Sequence, residues 1–248
     1  MAQTDTKEKR KPSLVSQISG VLGEILVTAG LIMGLYVCWQ LWFTSWEANA
    51  QQANLTDSIS SAWQKSPDKI GEARYDDPPS VEHVSELGAP IGVIHIPAFG
   101  KEWEYPVLEG TDKVAILDKG AFGHYKETAF PGEVGNFSVA AHRNAYGSIM
   151  HYVEDLNSGD AIIVETEKAY YVYKIYDRYV VPPSQGQVIW PVPNDEEASQ
   201  EPTRRLMTIT TCHPYVGMGP LERMITHAEY DHWVAREDGI PEEMANAS

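Results

Sequence analysis

Arg204-Arg205-Leu206-Met207-Thr208-Ile209-Thr210-Thr211-Cys212-His213-Pro214 is the stretch from which the rest of the chain is read. From Leu206 to Thr211 it is rich in β-branched and apolar residues and it stops at a proline, the pattern of a strand that ends by presenting Cys212. Side chains alternate along a strand. Met207, Ile209 and Thr211 fall on one face, and Thr208, Thr210 and Cys212 on the more polar one, so the thiol is expected to open toward a groove and not into the core. That is a place for a nucleophile. A lone cysteine is also commonly a small buried hydrophobe, and this stretch alone leaves both readings open.

A thiol becomes a good nucleophile only near a base or a positive charge. Of eight histidines, His142 fits that part best: it closes a strand on which Ser138 and Ala140 share its face, and a loop sequence, Arg143-Asn144-Ala145-Tyr146-Gly147, follows it. His213 is adjacent to Cys212 and so points away from it, which leaves it to shape the turn. Arg223 opens the next strand and brings a fixed positive charge back toward the thiol. Cys212 and His213 with His227 and His232 are ligand types that zinc accepts, but their spacing matches no paired zinc pattern. No phosphate loop or dinucleotide fingerprint occurs. No metal and no cofactor is expected.

Outside the active stretch the chain divides into five segments. Residues 1–20 form a polar cytoplasmic segment carrying Lys7, Lys9, Arg10 and Lys11, and residues 21–43 an almost wholly apolar run interrupted by Glu24 alone among charged residues. As a helix this run spans about 34 Å, enough to cross a bilayer. Trp39, Trp42 and Trp46 gather at its far end, where aromatic rings favour the interface, and the basic cluster keeps the N-terminus inside. A cleavable signal peptide would have a shorter apolar core, although Glu47-Ala48-Asn49-Ala50 keeps that alternative in view. Cys38 lies within the run, so Cys212 is the one cysteine outside it and has no partner there for an intramolecular disulfide.

Residues 44–88 are read as an extracellular linker, with a short helix through Leu55, Ile59 and Trp63 and an extended piece at Asp76-Asp77-Pro78-Pro79 that holds the domain off the membrane. Residues 89–232 form the folded domain and 233–248 an acidic tail. Strand patterns at 91–96, 103–107, 136–142, 160–165, 170–181 and 223–229, with helical spacing only at 148–156, give a mostly β domain, a barrel or sandwich. Four of the 19 basic residues and three of the 35 acidic ones precede Ser45, so the remainder carries 15 against 32. Such acidity argues against a nucleic-acid partner.

Thr208 to Pro214 followed by Arg223, with Gly135-Asn136-Phe137-Ser138-Val139-Ala140-Ala141-His142-Arg143 upstream, resembles the sortases. The string Phe122-Gly123-His124-Tyr125-Lys126-Glu127-Thr128-Ala129-Phe130-Pro131-Gly132 is similar to the class E sortases of Gram-positive actinobacteria. The resemblance implies an eight-stranded sortase β-barrel behind one transmembrane helix, and a membrane-anchored cysteine transpeptidase with its catalytic domain extracellular. It implies that Cys212 cuts an LAxTG- or LPxTG-like sorting signal between Thr and Gly and holds the acyl part as a thioester. His142 would serve as general acid and base, and Arg223 would hold the substrate or the oxyanion. Tyr125, Thr211 and His124 would contact the signal. Its partners would be signal-bearing surface proteins and an amine acceptor, either a cell-wall precursor cross-bridge on lipid II or a pilin lysine. The glycine-rich 215–220 stretch departs from the family pattern and bears on signal specificity. Two other functions stay open at this point: an anchored cysteine peptidase that releases its product to water, and a wall-binding β-domain with no activity.

Overall fold

The computed structural model describes residues 14–144, 146–195, 199–215 and 221–247. The first thirteen residues, whose basic cluster orients the chain, and most of the 215–220 stretch lie outside them. Two compact units are distinguished, residues 1–44 and 45–248.

Helix α1 (Leu14–Ser61) supplies the described part of the first unit. Its Gln17–Trp39 segment is 23 residues long with mean hydropathy 2.0. Leu22, Ile25, Leu26, Leu31 and Ile32 are all exposed. A helix that is apolar all round in this way has no polar face to offer water, and its length suits a bilayer.

The second unit is a closed barrel. Its strands are β1 (Pro90–His95), β2 (Glu104–Glu109), β3 (Phe122–His124), β4 (Gly135–Ala140), β5 (Ala161–Glu165), β6 (Ala169–Val181), β7 (Arg205–His213) and β8 (Glu222–Ala235). They close in the order β1-β2-β3-β4-β7-β8-β6-β5. The β2–β3 and β4–β7 pairs are parallel, the others antiparallel. Closure leaves no strand edge to be satisfied by another chain. Inside lie Ile94, Val107, Phe122, Phe137, Val139, Tyr171, Tyr173, Met207 and Ile209. Every second residue of β4 and β7 therefore points inward, and the alternating polar residues emerge on the outer face.

Several elements differ from the sequence expectation. Leu55, Ile59 and Trp63 do pack as one apolar face, against Val93, Leu108, Ile116 and Ala121, but Leu55 and Ile59 belong to the last turns of α1 and not to a separate helix. The 148–156 stretch yields only a 3-10 turn at Val153–Asp155. The piece around Asp76 to Pro79 is extended but is no free spacer. Arg74 and Trp233 exchange backbone hydrogen bonds, Trp233 Nε1 donates to Asp76, Arg205 pairs with Asp77 at 2.6 Å, and Tyr171 donates its hydroxyl to Pro79 O. The acidic tail is likewise part of the fold: β8 continues to Ala235, and Ile240 and Met244 cover Val172 and Val234. Neither contribution shows in the sequence, because the ties are made by long-range backbone bonds and by single side chains.

On the outer face of β7, Thr208 is sealed into a chain of neutral groups. Asn194 Nδ2 donates to the Tyr179 hydroxyl, which bonds His227 Nε2 at 2.8 Å; His227 Nδ1 bonds Thr208 Oγ1, which donates to Asn136 Oδ1. Asn136 Nδ2 reaches the carbonyls of Val188 and Trp190. Each donor finds an acceptor when His227 is neutral and protonated on Nδ1. Burial accordingly pushes the His227 imidazole down to about 4. The chain fastens the β6–β7 connection, through its 3-10 turn Gly186–Ile189, to the barrel wall.

Candidate active site

Cys212 and Arg223 are directly opposite in the β7–β8 ladder, so their side chains share a face. On the other side of β7, the parallel register pairs Ala140 with Thr210, and Ala141 N continues it by donating to Thr210 O. Two residues further along each strand come His142 and Cys212. Continued two residues past the end of β4, that register sets His142 level with Cys212, whose other neighbour is Arg223 on β8. Three distant pieces of sequence meet because β4, β7 and β8 are adjacent in the barrel. Cys212 and Arg223 are half-buried, as the outer face of a strand end requires.

His142 has a partner that sequence reading did not find. It donates Nε2–H to Asp118 Oδ1 at 2.7 Å, while Lys113 Nζ bonds both oxygens of the same carboxylate. Asp118 is presented by a 3-10 turn, Leu117–Lys119, that ends at Gly120 with φ +77, a backbone region that glycine enters without strain. With Nε2 engaged by Asp118, any further proton exchange at this ring falls to Nδ1. The Tyr146 ring stacks on the imidazole at 5.5 Å, and Lys113 lies over the same ring at 4.8 Å. Tyr146 and Ser148 both hold positive φ, +46 and +48. Such backbone is costly for these residues and is kept where packing over-determines it. Nothing in the local sequence announces Asp118: it is a single aspartate 24 residues before the histidine in a surface turn.

Tyr125 follows β3, its amide bonded to Ser138 O, and its hydroxyl bonds Thr210 Oγ1 at 2.9 Å. Thr210 precedes Cys212 by two residues on the same face, so the Tyr125 hydroxyl sits about 7 Å along the strand from the thiol position. His124 and Thr211 do not share that exposure. His124 is 1% exposed. Its Nδ1 bonds Glu109 Oε2 at 2.6 Å and its Nε2 faces Ala129 O and Thr128 Oγ1. Thr211 points inward and donates its hydroxyl to Ala141 O. The expectation that these two contact a peptide is corrected: period-2 alternation turns both away from the groove, and their polar atoms tie β3 to β2 through Glu109 and β7 to the residue after β4 through Ala141. The four residues weighed as zinc ligands also fail to converge. His227 belongs to the neutral chain on β7, and His232 lies nine residues along β8 from Arg223, about 30 Å away.

A family model for the Sortase domain matches residues 94–231. Sortase SrtE1 of Streptomyces coelicolor is 34% identical over 211 residues, covering 83% of this chain and 55% of that protein, so the chain spans about half the length of that relative. Sortase SrtE2 of the same organism is 33% identical over 238 residues, covering 90% of this chain and 89% of that protein. The solved SrtA sortase from Actinomyces oris is 40% identical, with a TM-score of 0.64 over 69% of this chain and 96% of that one.

Proposed function

The chain belongs to the sortase family, on its class E-like side, and from that premise we propose that it is a membrane-anchored transpeptidase in which Cys212 is the nucleophile. The observation that supports the reading is the pairing of Cys212 with Arg223 in the β7–β8 ladder of a sortase barrel, next to the end of β4, from which His142 follows two residues on. Cys212 Sγ attacks the threonine carbonyl of an LAxTG- or LPxTG-like signal, and the Thr–Gly bond breaks as His142 protonates the leaving amine. The acyl part stays on sulfur as a thioester. An amine acceptor, from a cell-wall precursor cross-bridge or a pilin lysine, gives up a proton to His142 and displaces the thiol. Arg223 stabilises the oxyanion of both tetrahedral intermediates by charge-assisted hydrogen bonds. Asp118 holds the imidazole ring and its Nε2 proton in place throughout, and Tyr125 borders the site where the signal residues before the threonine lie.

The length and apolar composition of the Gln17–Trp39 helix support the anchoring. Lys7, Lys9, Arg10 and Lys11 before it set the N-terminus in the cytoplasm and the barrel outside. The test is product analysis with the full chain in detergent, a fluorogenic Leu-Ala-x-Thr-Gly peptide and an amine acceptor, beside Cys212→Ala. An amine-linked product that vanishes in the variant is the expected outcome. Release of the free acid alone, at every acceptor concentration, would convert the reading to a peptidase.

A further inference from the structure

Backbone pairing between β4 and β7 ends where the candidate active site begins. Ala141 N donates to Thr210 O, Thr211 Oγ1 returns a bond to Ala141 O, and among the described residues the bonds that join the two strand ends beyond them are made by side chains. The residue after His142 is Arg143 and the residue after Cys212 is His213, and these two are bonded to each other. Arg143 Nη1 donates to His213 Nδ1 at 2.9 Å and Nη2 to Glu154 Oε1 at 2.9 Å. The neighbouring Asn144 donates to Tyr215 O, and the guanidinium lies 5.8 Å from the Tyr215 ring.

Arg143 is 1% exposed, yet its Nε has no hydrogen-bond partner. A buried ionic group with an idle donor contributes little to stability, and apolar side chains of similar volume commonly serve a core as well or better. What an apolar residue cannot supply is a directed donor. Because arginine does not release its proton, His213 Nδ1 has to be the acceptor, which fixes this histidine as the neutral Nε2–H form and fixes its ring plane. The Glu154 carboxylate balances the charge, and the Arg143 hydrogen bond holds its carboxyl below the usual carboxylate range.

We infer that Arg143 is a positioning residue for the transpeptidation described above, acting through His213 to hold the ends of β4 and β7 in step so that His142 and Cys212 meet at reacting distance. The inference rests on that reading of Cys212 and His142. The turn after the thiol thereby acquires a specific role, in which the side-chain rung from Arg143 to His213 takes over from the backbone ladder at the point where the ladder stops.

Full-length protein in detergent is assayed for cleavage of the Leu-Ala-x-Thr-Gly peptide as wild type, Cys212→Ala, Arg143→Met, His213→Phe, His213→Asn and the Arg143→Met/His213→Phe double variant, with thermal unfolding measured for each. Loss of the rung misplaces the reacting pair, so Arg143→Met and His213→Phe each lower kcat about 10- to 100-fold with KM within about twofold. His213→Asn, whose amide oxygen accepts in place of Nδ1, recovers to within about threefold of wild type, and the double variant loses no more than the worse single one, as coupled residues do. His213→Phe as active as wild type, kcat losses that multiply in the double variant, or losses that only track the folded fraction would overturn the proposal. Should Arg143→Met fail to fold, the contrast of His213→Phe with His213→Asn decides it. Turnover surviving in Cys212→Ala overturns the underlying reading whatever the other variants do. An inactive Cys212→Ala beside fully active Arg143 and His213 variants overturns only the positioning role.

Discussion

The outer face of β7 carries two polar clusters four residues apart, one at Thr208 and one at Cys212. Each has a histidine. At Thr208 the histidine is His227, sealed, neutral and bonded on both nitrogens to hydroxyls. At Cys212 it is His142, partly open and bonded to the Asp118 carboxylate. Along one strand the environment passes from a closed set of neutral dipoles to an open set that admits charge. The difference lies in where the ladder stops. In mid-strand the neighbouring strands and the β6–β7 connection cover the face, so an ionised group there would be left without solvent or counter-charge. At the strand end the covering falls away, and Lys113, Asp118, Arg143 and Glu154 come within reach.

The largest effect that separates the clusters is Cys212→Ala, expected to cut turnover by about 10⁴-fold or more while leaving the unfolding midpoint nearly unchanged, since a half-buried thiol at a strand end contributes little packing. Next is the pH dependence of stability. The folded His227 imidazole sits at about 4 against an ordinary 6.5, so between those values the unfolded chain binds more protons and stability falls as pH is lowered. This difference corresponds to a loss of up to about 3 kcal/mol, absent above pH 7 and levelling off below pH 4. Denaturant unfolding across this range checks it, and His227→Gln removes that slope while sparing the activity of the folded enzyme at neutral pH.

Smaller effects lie at the open end. Asp118→Asn keeps the shape but weakens the hold on His142, and is expected to lower kcat about 10-fold with KM preserved, read from steady-state kinetics. Tyr125→Phe removes the hydroxyl bonded to Thr210, and a lost hydrogen bond of this kind amounts to about 1 kcal/mol, seen as a severalfold change in kcat/KM that varies between Leu-Ala and Leu-Pro signals. Equal effects on both signals would remove Tyr125 from specificity.

Much of this contrast was legible in β7 itself. Strict alternation through Met207 to Cys212 separates the inward residues from the groove, and His142 and Arg223 are legible as strand-end residues. Pairing partners were not. β3 is three residues long, contains a glycine and a histidine, and lies parallel to β2, so it has no periodicity of its own. Asp118 reaches His142 only through the fold, and Arg143 reads as the first residue of a loop because nothing local shows that it is buried. The 70–79 strap and the C-terminal residues look solvated for the same reason: their ties to the barrel are long-range backbone bonds and single side chains. His124 and Thr211 were assigned to the groove by resemblance, and their strand parity turns them inward.

The most direct test of the account is the chemistry of the thiol itself. Intact-mass analysis of the full chain, mixed with excess Leu-Ala-x-Thr-Gly peptide and quenched in acid, is predicted to show one acyl adduct of the Leu-Ala-x-Thr fragment, mapped to Cys212, released by hydroxylamine and absent in Cys212→Ala. An adduct on another residue, or turnover without any adduct in Cys212→Ala, would contradict it.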